Sequence, residues 1–420
     1  VKYAILVGDG MSDYPIEELG GKTPIAVAKI PNIDAMVKRG RIGLVKTVPT
    51  GMKPASDIAN LSIMGYDPKR YYSGRGPLEA ANIGVDIGPY DIAFRCNLVT
   101  IANGAMADYS AGHVRDKESE ALMKYLGEKL GTERIKFYHG KSYRNLVVIK
   151  TKSRSEIEDL RKTACIPPHD ISGKPISKSL PKGPAAKLLL DLMSRSRSVL
   201  GKHEINKIRI DLKENPANMI WLWGQGTNSN MPSFKGLFGV DGAVISAVDL
   251  INGIGKIIGL KVLSVPGATG YYDTNYKGKG EYAVNALKEM DFVFVHVEAP
   301  DEAGHNGDLR EKIRAIENFD KFVVGAVWGY AKEQKDARIM VLSDHPTPIS
   351  TRTHASDPAP FVMAGKGIES KGFSSFTEAN ALASKVKVKS GAALTELFIK
   401  GKLPIGPSRG RGTGRVEGGA

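Results

Sequence analysis

Four compact apolar runs late in the chain limit its fold more than any other feature: KVLSVPG (261–267), DFVFVHV (291–297), ARIMVLSD (337–344) and APFVMAG (359–365). Short runs of this kind, rich in β-branched and aromatic residues, read as strands buried on both faces. Helical patterns at 242–258, 279–289 and 310–332 separate them. Such alternation predicts a mostly parallel sheet covered by helices on both faces. The chain opens in the same way. Residues 1–8 form an apolar run that stops at Asp9-Gly10, and a helical pattern through Ala26, Ile33, Met36 and Val37 closes at Gly40. IGLVKTV (42–48) follows as another strand, and Ser56-Asp57 then stands where a helix N-cap would, ahead of IANLSIMG.

The middle of the chain reads differently. It carries short strand-like pieces (DIAFRCNLVTI, YRNLVVIK, NMIWLWGQG), charged helical segments and a Pro/Gly/Ser-rich stretch at 166–184. The expected organisation is therefore a discontinuous α/β domain, 1–68 with 235–404, and a smaller α+β domain inserted as 69–234. The Gly/Arg-rich tail at 405–420 is expected to be disordered. With 420 residues and 42% hydrophobic composition, the chain can bury a large core. No apolar run reaches the roughly 18 residues of a membrane span. The opening VKYAILVGDGM reads as a core strand and not as a signal peptide. Cys96 and Cys165 stand too far apart for a disulfide framework or a zinc knuckle, which fits a reducing, cytoplasmic setting. A net charge of +14 invites a nucleic-acid partner, but the basic residues are scattered and no aromatic stacking run accompanies them. A positive cleft for small anions accounts for the charge as well, so neither nucleic acid nor membrane is expected as a partner.

The chemistry-bearing residues fall just past strand ends, where an open α/β sheet puts its functional loops. They are Asp9 after the first strand, Ser56 opening a helix, Asp301 and His305 in DEAGH after DFVFVHV, and Asp344-His345 after ARIMVL, with His354 in TRTHASD beyond. Carboxylates mixed with imidazoles suit Mn²⁺ or Zn²⁺ better than Ca²⁺. Two such ions about 3.5–4 Å apart can clamp both ends of an in-line phosphoryl displacement and activate a serine hydroxyl. Taken singly, each piece has a plain alternative: a turn at Asp9-Gly10, a helix cap at Ser56-Asp57, a common D-x-x-x-H spacing at Asp301. Their joint occurrence in this order is what points to phosphoryl transfer. His296, inside an apolar strand, reads as a satisfied core histidine.

GDGMSDYP, GGKTPIAVAKIPNIDAM, PASDIANLSIMGYDP, YYSGRGPLEAANIGV, AFRCNLVT, VEAPDEAGHNGD, AIENFD and LSDHPTP closely resemble the archaeal-type cofactor-independent phosphoglycerate mutases, within the alkaline phosphatase superfamily. The resemblance runs from residue 1 to about 400. It implies an alkaline-phosphatase-like sheet with an inserted domain, and two divalent ions, Mn²⁺ foremost with Zn²⁺, Mg²⁺ or Co²⁺ as alternatives. Asp9, Ser56, Asp344 and His345 would surround one ion, and Asp301, His305 and His354 the other. Ser56 would take the phosphoryl group of 3-phosphoglycerate and return it to the other hydroxyl of the retained glycerate, with no bisphosphoglycerate. Arg75 and Arg95 are the first choices for gripping the substrate's anionic groups, since a guanidinium can hold either bidentately. Asn97, Asp108 and His113 are implied as companions, with Arg75 and His113 assisting catalysis. The bacterial form has a lysine just before its T-Y-D segment. Here the stretch is ATGYYD, with no lysine at that spot, so either Lys277 or Lys279 takes that place or the role is absent. No P-loop motif is present and Ser56 lacks the Pro and Arg of sulfatases. The remaining alternative is a metal-dependent phosphatase or phosphotransferase on another small hydroxy acid or alcohol, such as homoserine.

Overall fold

The structure is a computed structural model that describes residues 1–334 and 336–401. The Gly/Arg-rich tail at 405–420 lies outside the described residues. The chain divides into two compact units: Val1–Gly65 with the chain from Val265 onward, and Tyr66–Ser264.

In the first unit, strand Lys2–Gly8 is central. It pairs in parallel with Phe292–Val297 on one side and Ala337–Leu342 on the other. Ala359–Gly365 runs antiparallel to both of its neighbours, Ala337–Leu342 and Arg41–Val45, and Lys387–Val388 closes that side in parallel. The sheet is thus mostly parallel. Ala4–Val7, Phe292–Val295 and Ile339–Leu342 are fully buried, which is why these segments are continuously apolar and not alternating. Register then decides where the chemistry sits. Val7 pairs with both His296 and Leu342. Two residues further along, Asp9, Glu298 and Asp344 therefore emerge level with one another at the carboxyl edge of three adjacent parallel strands.

The second unit is built on an antiparallel sheet. Its long strand Asp91–Ala102 pairs with Arg144–Lys150, Met219–Gly226 and Ala105–Asp108, and Ile135–Lys141 joins beyond Arg144–Lys150. Helices Asp116–Leu130 and Ala186–Leu200 cover one face through Leu122, Leu126, Leu189, Leu192 and Met193, over Phe94, Cys96, Leu98, Ile220 and Leu222. The sequence placed 235–264 with the first domain, yet this segment belongs to the second unit. Its strand–helix–strand piece lays helix Asp249–Ile257 directly on the backbone of helix Arg75–Asn82. Gly253 makes this possible, because any Cβ there would collide with the Leu78 carbonyl. Among the described residues, no helix is long and apolar enough to cross a membrane.

Candidate metal centre and anion-binding residues

Asp9, Asp344 and His345 are all fully buried at the carboxyl edge of the first unit's sheet. Helix Ser56–Ile63 brings Ser56 to them: its Oγ lies 3.2 Å from His345 Nε2 and 3.5 Å from Asp9 Oδ1. Ser56 is not the helix cap. The N-cap is Ala55 in extended conformation, and no side chain caps the helix, so the Ser56 hydroxyl is left for the cluster. Asn60, one turn on, donates to the Ser56 carbonyl and to Asp344 Oδ2, both at 2.8 Å, and so locks the helix start against the Asp344 loop. Gly10, at φ +59°, turns the chain after Asp9 so that its N–H donates to Asp344 Oδ1 at 3.0 Å.

Helix Ala299–Asn306 carries the second group. Asp301 and His305 lie one turn apart, with His305 Nε2 3.1 Å from Asp301 Oδ2, and His354 Nε2 lies 3.3 Å from Asp301 Oδ1. The donor inventory tests whether these residues fit a metal. His305 Nδ1 faces the Arg352 carbonyl at 3.0 Å and His354 Nδ1 the Pro54 carbonyl at 3.3 Å; a carbonyl only accepts, so Nδ1 keeps its proton in each ring and Nε2 is the nitrogen that can give its proton up to a metal. The two Nε2 atoms, which would shed their protons on binding an ion, converge to 2.9 Å beside the Asp301 carboxylate. His345 follows the same rule. Thr347 donates its hydroxyl proton to Asp301 Oδ1, so its oxygen accepts from His345 Nδ1 at 3.3 Å. His345 Nε2 is thereby turned, bare, toward Ser56, Asp9 Oδ1 and Asp344 Oδ2. Lone pairs and carboxylates aimed at shared points, with ring orientation fixed by outer partners, are what a divalent cation site requires. Asp301–His305–His354, Asp9–Asp301–His345 and Asp9–His296–Asp344 each bring their ligand atoms within 4.8 Å of one another.

The electrostatics agree. Burial, reinforced by the Asp344, Asp301 and Glu298 charges, pushes the Asp9 carboxyl well above its ordinary pKa. Burial pushes Asp301 upward too, but hydrogen bonds from His305 and His354 and nearby imidazole charge outweigh it and hold Asp301 low. The Asp301 hydrogen bond raises His305 to about 9. The pocket attracts positive charge.

The structure brings together every sequence-predicted ligand: Asp9, Ser56, Asp301, His305, Asp344, His345 and His354. It also shows a partner of one ligand that was missed. His296 is no ordinary core histidine, for its Nε2 donates to Asp9 Oδ2 at 2.8 Å and burial lowers its pKa to about 4, which keeps the ring neutral. Lys277 is not brought to the cluster. Its side chain is 74% exposed and lies 3.7 Å from Glu281. Lys279, on the inward side of the same helix, is fully buried; its Nζ donates to the His296 carbonyl at 2.9 Å, and burial brings its pKa down to about 8.

The second unit gathers Arg75, Arg95 and Asn97 on one wall. The Arg75 and Arg95 guanidiniums lie over the Trp223 ring at 5.5 and 4.7 Å, and Trp223 Nε1 donates to Asn97 Oδ1 at 3.0 Å. Arg95 is buried beside Glu79 at 3.4 Å. Asp108 accepts from Ser110, Gly112 and Asn215, so its carboxylate organises the loop that carries His113. His113 itself is exposed, with its ring edge-on to Tyr143. Trp223 was not singled out in the sequence, where it reads as one more apolar residue of NMIWLWGQG.

Fold and cluster define a class, an α/β protein with a divalent-metal centre at the carboxyl edge of its parallel strands. A sequence profile described as 2,3-bisphosphoglycerate-independent phosphoglycerate mutase matches residues 37–206. A relative of that name from Methanothrix thermoacetophila is 50% identical over 96% of this chain and 100% of its own. Another from Methanothermobacter thermautotrophicus, named 2,3-bisphosphoglycerate-independent phosphoglycerate mutase 2, is 52% identical over 90% and 92%. The solved cofactor-independent phosphoglycerate mutase from Thermoplasma acidophilum is similar at a TM-score of 0.66 with 26% identity, covering 95% of this chain and 99% of that one. A protein from Pyrococcus horikoshii reaches 0.78 with 28% identity, covering 96% and 99%. The chain belongs to the family of 2,3-bisphosphoglycerate-independent phosphoglycerate mutases.

Proposed function

We propose that this chain interconverts 3-phosphoglycerate and 2-phosphoglycerate without bisphosphoglycerate, through a phosphoserine at Ser56, as a cytoplasmic step of glycolysis and gluconeogenesis. The observation that carries the reading is the Ser56 hydroxyl, uncommitted to helix capping and facing Asp9 and His345. Asp9, Ser56, Asp344 and His345 would hold one divalent ion, Mn²⁺ foremost, and Asp301, His305 and His354 a second. Such ions offset the clustered carboxylate charge and favour ionisation of a nearby hydroxyl. Ser56 Oγ attacks phosphorus, the bond to the C3 oxygen of glycerate breaks, and that oxygen gains a proton. The reverse transfer to the C2 oxygen completes the isomerisation. Backbone N–H groups at the start of helix Ser56–Ile63 suit the anionic phosphoryl oxygens.

The second unit is proposed as the substrate-binding domain. Arg75 and Arg95 bind carboxylate and phosphate, Asn97 and Asp108 hold the wall and loop that present them, and His113 exchanges protons with the glycerate hydroxyls. Two measurements test this. With Mn²⁺, the protein converts 3-phosphoglycerate to 2-phosphoglycerate; release of free phosphate in its place would make it a phosphatase. Arg75→Ala raises KM for 3-phosphoglycerate roughly 10- to 100-fold, the scale of one lost charge-assisted hydrogen bond, at unchanged Mn²⁺ stoichiometry. An unchanged KM would remove Arg75 from the substrate site.

A further inference from the structure

Beneath the candidate metal centre, Lys312 on helix Leu309–Asn318 is fully buried. Its ammonium donates to Asp13 Oδ2 and the Thr347 carbonyl, both at 2.8 Å, and to the Ser12 carbonyl at 3.3 Å, which uses all three of its protons. Those acceptors lie on two different loops. Ser12 and Asp13 follow Asp9, and Thr347 follows Asp344 and His345. The loops are joined again by Thr347 N–H to the Ser12 carbonyl at 3.3 Å and by Ile349 N–H to Asp13 Oδ2 at 3.1 Å. Ser12 also donates to Ser343 Oγ, which in turn donates to the His345 carbonyl at 2.8 Å. On its other side Thr347 reaches the second group, because its hydroxyl bonds Asp301 and His345. Gly304 lets helix Ala299–Asn306 press against Thr347, where a Cβ would meet its carbonyl.

We propose that Lys312 is a positioning residue for the metal centre: its ammonium fastens the Asp9 loop to the Asp344–His345 loop and, through Thr347, fixes the spacing of the two ligand groups. The inference rests on the two-ion reading above. An apolar side chain would take a donor from two carbonyls and a carboxylate at once, leaving the two loops only their backbone bonds, Thr347 N–H to Ser12 and Ile349 N–H to Asp13.

The competing role is an ordinary buried ion pair with Asp13, and paired variants separate the two. Lys312→Met leaves Asp13 buried without its partner charge, and the Tm falls by several degrees. Adding Asp13→Asn removes that uncompensated charge and recovers much of the Tm. The loops still lack their fastening, so titration of the metal-free full-length double variant with Mn²⁺ alone shows the weaker site loosened roughly 10- to 100-fold. The electron paramagnetic resonance signature of two coupled Mn²⁺ ions, present in the wild type, is lost or altered. A double variant that recovers Tm, Mn²⁺ affinity and the coupled spectrum together would reduce Lys312 to an ion-pair role and overturn the proposal. A wild type that binds a single Mn²⁺ would overturn the two-ion reading itself, a different result. If the double variant does not fold, Lys312→Gln, whose amide keeps two of the three donor protons but no charge, takes the same Mn²⁺ titration and spectrum, with the same outcomes decisive.

Discussion

Ser56→Ala is expected to lower turnover of 3-phosphoglycerate by roughly 10⁴- to 10⁶-fold, the scale seen when a covalent nucleophile is removed from a hydrolase, while the chain still folds and binds metal. The fold survives because the hydroxyl holds nothing up. The helix is not capped by it, and Asn60 anchors the first turn through two hydrogen bonds that alanine leaves in place. The groups the hydroxyl faces, Asp9 and His345, are held by His296, Thr347 and the backbone. Metal stoichiometry by elemental analysis should therefore match the wild type. Mass spectrometry after incubation with 3-phosphoglycerate adds a second readout. The wild-type peptide containing Ser56 acquires a phosphoryl group, and the alanine peptide does not. Retained mutase turnover in the variant would refute the covalent route and leave Ser56 as a spectator beside the metals.

Most of this centre was legible because parallel strands end where their apolar runs end. Asp9, Asp301 and Asp344 each break such a run or follow it closely, so their placement on one edge needed only the alternation of strands and helices. His296 was not legible. It sits one residue before its strand ends, surrounded by valines, and nothing in FVFVHV distinguishes a core histidine from one that reaches a neighbour. The deciding fact is register, the pairing of Val7 with His296, which depends on contacts between distant segments. Lys277 and Lys279 show the opposite case, since local pattern could have chosen between them. Tyr276, Lys279, Gly280 and Ala283 recur at helical spacing and are all buried, which turns Lys277 outward. The boundary at 235 failed for a further reason. A strand–helix–strand piece looks the same whichever unit it joins, and the tie here is a small residue, Gly253, meeting a backbone remote in sequence. The arginine wall was legible as residues but not as a wall, because Trp223 becomes its platform only after Asp91–Ala102 and Met219–Gly226 pair.

Asp9→Asn should move metal-free and metal-loaded stability in opposite directions. Burial, then the charges of Asp344, Asp301 and Glu298, raise the Asp9 carboxyl well above its ordinary pKa. For an acid, a folded-state value above the unfolded one means that the folded chain binds the extra proton. Stability from this group is therefore present at low pH and falls as pH rises from about 3.9 through the raised value. At neutral pH the ionised Asp9 is a cost to the metal-free fold. Asparagine removes that charge yet keeps an oxygen able to accept from His296, so the metal-free variant should melt above the metal-free wild type. Adding Mn²⁺ reverses the order. A ligand that binds only the folded chain stabilises it by about 4 kcal/mol at a thousandfold excess over its Kd. The wild type gains this, whereas the variant has lost a carboxylate shared by two candidate ligand groups, Asp9–Asp301–His345 and Asp9–His296–Asp344. Turnover should fall by at least about 10³-fold, the scale for losing one electrostatic partner of a transition state. Melting curves in chelator and in excess Mn²⁺ check both signs. A metal-free variant that melts below the wild type would mean that Asp9 is not the strained charge of the cluster, and an undiminished Mn²⁺ shift would mean that it is not a ligand.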